Sequence, residues 1–163
     1  MTEDSHHPAL QLVQKQRTLV LAIADPAPWS APVCYLYSHG HFYFFSHPES
    51  RHIRGAASQR LCAASLYRES DNWQDLEGLQ MEGTVQHIHT GKAAFDVLPA
   101  YLAKFPTVKH SFLPPGSALN LTSFCKLVHA ELYAFTPTLV FYFNNREGFA
   151  SRRDITAIFH SSP

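Results

Sequence analysis

The residues whose types and spacing could do chemistry lie in one run, Phe42-Tyr43-Phe44-Phe45-Ser46-His47-Pro48-Glu49-Ser50-Arg51-His52-Ile53-Arg54. It reads as an aromatic strand, a short polar turn and the first turn of a helix. A serine at or near an N-cap leaves unpaired backbone N–H groups beyond it, and the helix dipole adds partial positive charge, so that end offers ready donors to a phosphate. Arg51 can add a bidentate fork. His52 can donate a hydrogen bond, and Arg54 can share the rim. Phe44 and Phe45 alternate across the strand, so one faces a core while the other can wall a pocket. The same residues also suit a plain capped helix with solvated basic side chains behind a buried strand.

Histidines and cysteines are the other candidates. The tight histidine sets are His6/His7, His39/His41 and His87/His89. Alternating His-x-His on a strand can put two ligands on one face, yet no cysteine or carboxylate stands nearby at metal-site spacing, and no structural metal is expected. Cys34, Cys62 and Cys125 are odd in number, far apart and without a C-x-x-C pair, which points to reduced thiols in a cytoplasmic protein.

Composition sets the frame. A chain of 163 residues suits one domain over 1–163, with a single substantial core. A formal net charge of zero gives no basic field for nucleic acid and no acidic excess for disorder. Aromatic residues reach 13% while charged ones are only 16%, so part of that aromatic area suits a subunit interface. The start, Met1-Thr-Glu-Asp-Ser-His-His-Pro, is polar and acidic, so neither a signal peptide nor a membrane span is expected.

The elements that must position these residues follow in order. Pro8 to Gln16 reads as a short helix packed across one end of a sheet. Thr18 to Ala24 is a buried strand bounded by Asp25-Pro26, and Ala31 to Tyr37 a second strand with Val33, Tyr35 and Tyr37 on one face. Ser38-His39-Gly40-His41 is a hairpin turn before the aromatic third strand. Arg51 to Ser58 is a helix, and Leu61 to Tyr67 a fourth strand with small Ala63, Ala64 and Ser65 where something can approach closely. A polar connection carrying Trp73 leads to a long fifth strand, Gly78 to Ile88, where Gly83 marks a bend or bulge. Lys92 to Phe105 has helical spacing interrupted by Pro99, which predicts a kink or a split. Pro106 to Leu121, with Pro114-Pro115-Gly116, is expected as a loop that can hold a helical turn. Lys126 to Phe135 and Leu139 to Phe143 are expected as two closing strands joined at Thr136-Pro137, followed by a turn over Asn144 to Phe149 and a last strand or tail.

This pattern predicts a mainly β, α+β fold: a six- to seven-stranded antiparallel Greek-key split β-barrel with flanking helices. The chain resembles the pyridoxamine 5'-phosphate oxidase-like FMN-binding split barrels, and within them an uncharacterised bacterial branch. The carriers are Thr18-Leu-Val-Leu-Ala-Ile-Ala, Ala31-Pro-Val-Cys-Tyr, Phe42-Tyr-Phe-Phe-Ser, Ser50-Arg-His and Gly78-Leu-Gln-Met-Glu-Gly, in that order.

The resemblance implies an FMN phosphate held by Ser50, Arg51 and His52, the last standing where the family often has Lys. It places Phe44, Phe45 and Ser46 along the ribityl chain and ring, backbone near Val33 at the ring edge, and Gln80 as a further ring contact. It also implies a homodimer with the flavin between subunits. Two departures stand against a true oxidase. The second strand, Ser30-Ala-Pro-Val-Cys-Tyr-Leu, has no Arg or Lys, and Phe149-Ala-Ser-Arg-Arg-Asp is not the Arg-Leu-His-Asp-Arg type ending that grips pyridoxal phosphate. Arg152 or Arg153 could instead touch another anionic substrate.

The function expected is flavin-mediated electron transfer to or from an unknown small molecule, with no obligatory acid or base and no catalytic residue nominated. Two alternatives stand beside it. One is a non-catalytic flavin- or haem-binding module using His39/His41 or His87/His89. The other is an interaction protein without a cofactor.

Overall fold

Short runs of apolar, aromatic and β-branched residues bounded by turns build seven strands among the described residues, six of which close on one another. The computed structural model describes residues 7–24, 26–58, 61–89, 92–112 and 120–160, with the backbone alone for 92–94. The strands are β1 (Thr18–Ile23), β2 (Trp29–Ser38), β3 (His41–Ser46), β4 (Cys62–Arg68), β5 (Glu77–His87), β6 (Glu131–Asn144) and the two-residue β7 (Arg153–Asp154). Their order is β3-β2-β1-β4-β5-β6-β7, all antiparallel, and β3 also pairs with β6, which closes the barrel. β1, β2 and β3 are consecutive neighbours while β4 returns to lie beside β1, the Greek-key connection. With its helices this is an α+β split-barrel fold, as the strand pattern predicts.

Two apolar layers hold it. Leu19, Leu21, Tyr35, Phe42, Phe44, Leu66, Leu79, Phe135 and Tyr142 are buried inside the barrel. Burying each such side chain contributes about 1.5–3 kcal/mol. Helices α1 (Pro8–Lys15), α2 (Arg51–Ser58) and α6 (Thr156–His160) send Val13, Ile53 and Phe159 into the same core. The Tyr35 hydroxyl donates to the Val13 carbonyl at 2.7 Å and fixes α1 to the barrel. Outside, α3 (Lys92–Lys104) and α5 (Leu121–Val128) cover Tyr43 and Phe45 with Val97, Leu98, Leu102 and Phe124. Among the described residues no helix is long and apolar enough to cross a membrane.

The structure departs from the sequence expectation at four places. The two closing strands are one, β6, which runs fourteen residues straight through Pro137. Pro137 is tolerated because the ladder shifts register there: Gly83 pairs with it beside a bulge at Glu82/Gly83. Gly83 is required at this point, since a Cβ would run into the Thr136 carbonyl and the Phe135 ring. Lys126 to Val128, expected as strand, is the last turn of α5, whose N-cap Asn120 accepts from the Ser123 N–H. Pro106–Phe112, expected within a loop, is helix α4, with Pro at the first position as helices favour. Pro99 neither splits nor ends α3. The Pro114-Pro115-Gly116 stretch, Asp25 and His6 lie outside the described residues.

Candidate functional site

The corner between β3 and α2 gathers polar groups at the end of the barrel. β3 ends with Ser46 pointing inward, and the turn His47-Pro48-Glu49-Ser50 delivers the chain to α2. Ser50 acts as the cap: its carbonyl accepts from the N–H groups of Ile53 and Arg54 at 3.1 and 3.0 Å. Among the described residues the N–H groups of Arg51 and His52 have no partner, which is the donor pair a helix start leaves over.

Three predicted residues meet here. Ser46 Oγ lies 2.8 Å from His52 Nε2 and 3.2 Å from Ser50 Oγ, and Ser50 Oγ lies 3.3 Å from His52 Nε2. Ser46 is buried and its partners are half-buried. Burial lowers the His52 pKa below its ordinary 6.5, which favours the uncharged ring beside the two hydroxyls.

Arg51 turns to β2 instead. Its guanidinium carbon stands 4.5 Å from the centroid of the exposed Trp29 ring, the first residue of β2. A guanidinium laid on an indole keeps its edge donors free. Arg54 pairs with Glu49 at 4.0 Å, both well exposed.

The other predicted residues are placed apart from this corner. Phe44 is fully buried in the barrel against Tyr133, with ring centroids 5.9 Å apart. Phe45 faces the opposite way, its ring 4.9 Å from Tyr101 and 5.0 Å from Phe124 under α3 and α5. The Val33 side chain is buried inward. Gln80 faces outward on β5, where its carbonyl oxygen accepts from Arg152 Nε at 2.7 Å and it lines a cavity of about 300 Å³ with Tyr67 and Phe143. Arg153 is held by Glu147 at 2.9 Å. Trp73 is exposed and meets Phe149 edge to face at 5.8 Å.

Trp29 was not legible as a site residue, and the contact of Arg152 with Gln80 was not foreseen although Arg152 itself was singled out. Each acquires its role from a strand pairing, β1–β2 for Trp29 and β6–β7 beside Arg152, that local sequence does not encode.

What the corner can do is bind an anion. Two free N–H groups, two hydroxyls and an imidazole, with the Arg51 guanidinium beside them on Trp29, form a phosphate-type donor set, and the Glu49 carboxylate of the same turn is paired with Arg54. That chemistry fits a flavin phosphate.

No protein-family model matches the chain, and no curated protein matches it by sequence. Solved structures match by fold. A haem binding protein from Mycobacterium smegmatis superposes with a TM-score of 0.67 at 12% identity, over 91% of this chain and 56% of that one. An FAD-binding protein from Mesorhizobium loti gives 0.60 at 16%, over 81% and 88% of the two chains. HutZ, a haem storage protein from Vibrio cholerae, gives 0.60 at 12%, over 78% and 85%. The fold is thus the split barrel found in flavin- and haem-binding proteins.

Proposed function

We propose that the chain is an FMN-binding oxidoreductase of the pyridoxamine 5'-phosphate oxidase-like kind, working as a homodimer with the flavin between subunits. The observation that carries this is the β3–α2 corner, where Ser46, Ser50, His52 and two free N–H groups lie together, with the Arg51 guanidinium beside them on Trp29 and the Glu49 carboxylate paired with Arg54. The FAD-binding structural neighbour lends support at the level of fold.

When bound, the flavin ring supplies electron transfer. The chain's own residues bind and orient. Arg51 and the N–H groups of Arg51 and His52 hold the phosphate, and Ser46 keeps the His52 ring turned to the corner. Since the side chains of Phe44 and Phe45 are committed to packing, contacts of β3 with the cofactor run through its backbone. The departures in β2 and at Phe149 argue for a substrate other than pyridoxamine phosphate.

An absorption spectrum of the purified protein after FMN addition and gel filtration tests this. Bands near about 370 and 450 nm co-eluting with a dimer are expected. A colourless dimer overturns the cofactor assignment.

Haem is the second ligand to try, favoured by the haem-binding neighbours and by one histidine. His39, exposed in the β2–β3 turn, engages Ser38 Oγ through Nδ1 at 2.7 Å and keeps Nε2 without a partner among the described residues. A Soret band lost in His39→Ala would favour haem over flavin.

A further inference from the structure

Three cations stand near the other end of β1, none of them in a salt bridge among the described residues. α1 ends at Lys15 and β1 begins at Thr18, so the link between them carries Arg17 beside Lys15. Lys104, from the last turn of α3, approaches the same junction: its Nζ lies 4.2 Å from the Tyr35 ring centroid, is shielded from solvent and takes no hydrogen bond. Burial first, and then the Arg17 charge, push this ammonium down to about 8, with Cys34 pulling the other way. Among the described residues none of Lys15, Arg17 and Lys104 forms a salt bridge, whereas Arg54, Arg68, Arg146 and Arg153 each do.

A cavity of about 340 Å³ opens at this junction, with Lys15, Arg17, Ser65, Tyr67 and Glu69 in its wall. Glu69, the one carboxylate there, pairs with none of the cations. A second cavity of about 300 Å³ shares Ser65, Leu66 and Tyr67 with the first and continues to Leu76 and Phe143. The two form one groove, cationic at one end and apolar at the other. Tyr67, 52% exposed, stands between them. Each chamber is of the size that takes part of a small molecule. No residue of the β3–α2 corner lines either chamber, while Gln80, the further ring contact that the resemblance implies, borders the second.

We propose that this groove binds a small organic anion with a flat apolar body, its carboxylate or phosphate at Lys15 and Arg17 and its body against Tyr67 and Phe143. An anion there meets Lys15 and Arg17, which form no salt bridge among the described residues, and Arg17 can grip it with two parallel N–H donors. The ring faces of Tyr67 and Phe143 select a planar body over a flexible chain.

The test is calorimetric titration of the full chain with 2-naphthoate, 2-naphthyl phosphate and uncharged 2-naphthalenemethanol. The anions are expected to bind saturably, one per chain, about tenfold or more tighter than the alcohol. Arg17→Met weakens the anions by about tenfold, Arg17→Lys by less, and Glu69→Gln tightens them. Amide shifts of the wild-type protein on adding 2-naphthoate locate the site whether or not a variant folds, and they are expected at Lys15 to Thr18 and Ser65 to Tyr67. Absence of saturable binding, equal affinity for the alcohol, an unchanged affinity in folded Arg17→Met, or shifts centred on α2 each overturn the proposal.

Discussion

At the scale of single residues, Trp29 and Arg51 act as a unit. β2 carries no lysine or arginine, and what it offers the corner instead is an indole that holds the Arg51 guanidinium on its side. Such an exposed stack contributes about 0.5–1 kcal/mol, enough to bias a flexible side chain toward one position. Arg51→Ala is therefore expected to weaken FMN by about tenfold or more, since it removes a charge-assisted contact. Trp29→Ala should weaken FMN by a smaller factor and Trp29→Phe should recover most of the loss. Quenching of flavin fluorescence on titration measures all three. An Arg51→Ala protein that binds FMN like the wild type removes this residue from the phosphate site. His52 gives a second expectation. Its folded pKa lies below its ordinary 6.5 because it is buried, and His41 is lowered for the same reason, with His39 adding to it. Between the folded and unfolded values the unfolded chain binds more protons, so stability is complete above pH 6.5 and falls as the pH drops through that window. His52→Gln should flatten the decline in thermal midpoint between about pH 7 and pH 5 relative to wild type. A decline of the same steepness in the variant shows that other groups carry the acid sensitivity.

At the scale of elements, two joints bear on the barrel's shape. The bulge at Glu82/Gly83 lets β6 bend through Pro137, and Gly83→Ala would press a methyl into the Thr136 carbonyl and the Phe135 ring. Overpacking of this kind costs about 1–3 kcal/mol, read as a lowered urea midpoint at unchanged slope. Most strands were legible as short apolar runs with clear bounds: β1 is a near-continuous apolar run ended by Asp25-Pro26, and in the fold Leu19, Leu21 and Ile23 of β1 and Cys62, Ala64 and Leu66 of β4 are the ones that point inward. The start of α2 was legible from Ser50-Arg51-His52. β6 was misread because Pro137 in mid-strand normally ends one, and the partner that makes it tolerable, Gly83, lies more than fifty residues away. Lys126-Leu127-Val128 was misread because a short apolar run does not separate helix from strand, although Asn120 three residues before Ser123 carried the capping signal. The Trp29–Arg51 stack and the convergence of Lys104 on Arg17 are tertiary, and no local pattern announces either.

At the scale of the whole molecule, the barrel has one dressed face and one bare face. α3 and α5 cover the outward side chains of β2 and β3, while the outward residues of β1, β4 and β5, Val20, Ala22, Ala63, Ser65, Gln80 and Glu82, belong to neither apolar layer among the described residues. Register aligns Ala22 with Ala63 and Ala63 with Glu82, and Val20 with Ser65 and Ser65 with Gln80. Small side chains in rows make a flat surface on which a second copy can lie close, and the proposed homodimer is best placed there. The cationic groove around Arg17 and Tyr67 lies toward the far end of the same strands, which would put it at the rim of such an interface. Ala63→Arg sets a long charged side chain in the middle of the flat region, where a partner would have to bury it unpaired. Since Ala63 is exposed in the single chain, the substitution should leave the thermal midpoint of the isolated barrel nearly unchanged. Sedimentation is then expected to show a dimer for the wild type and a folded monomer for Ala63→Arg, with FMN affinity falling together with dimerisation. A folded Ala63→Arg dimer that still binds FMN would move the interface, and with it the flavin, to another face of the barrel.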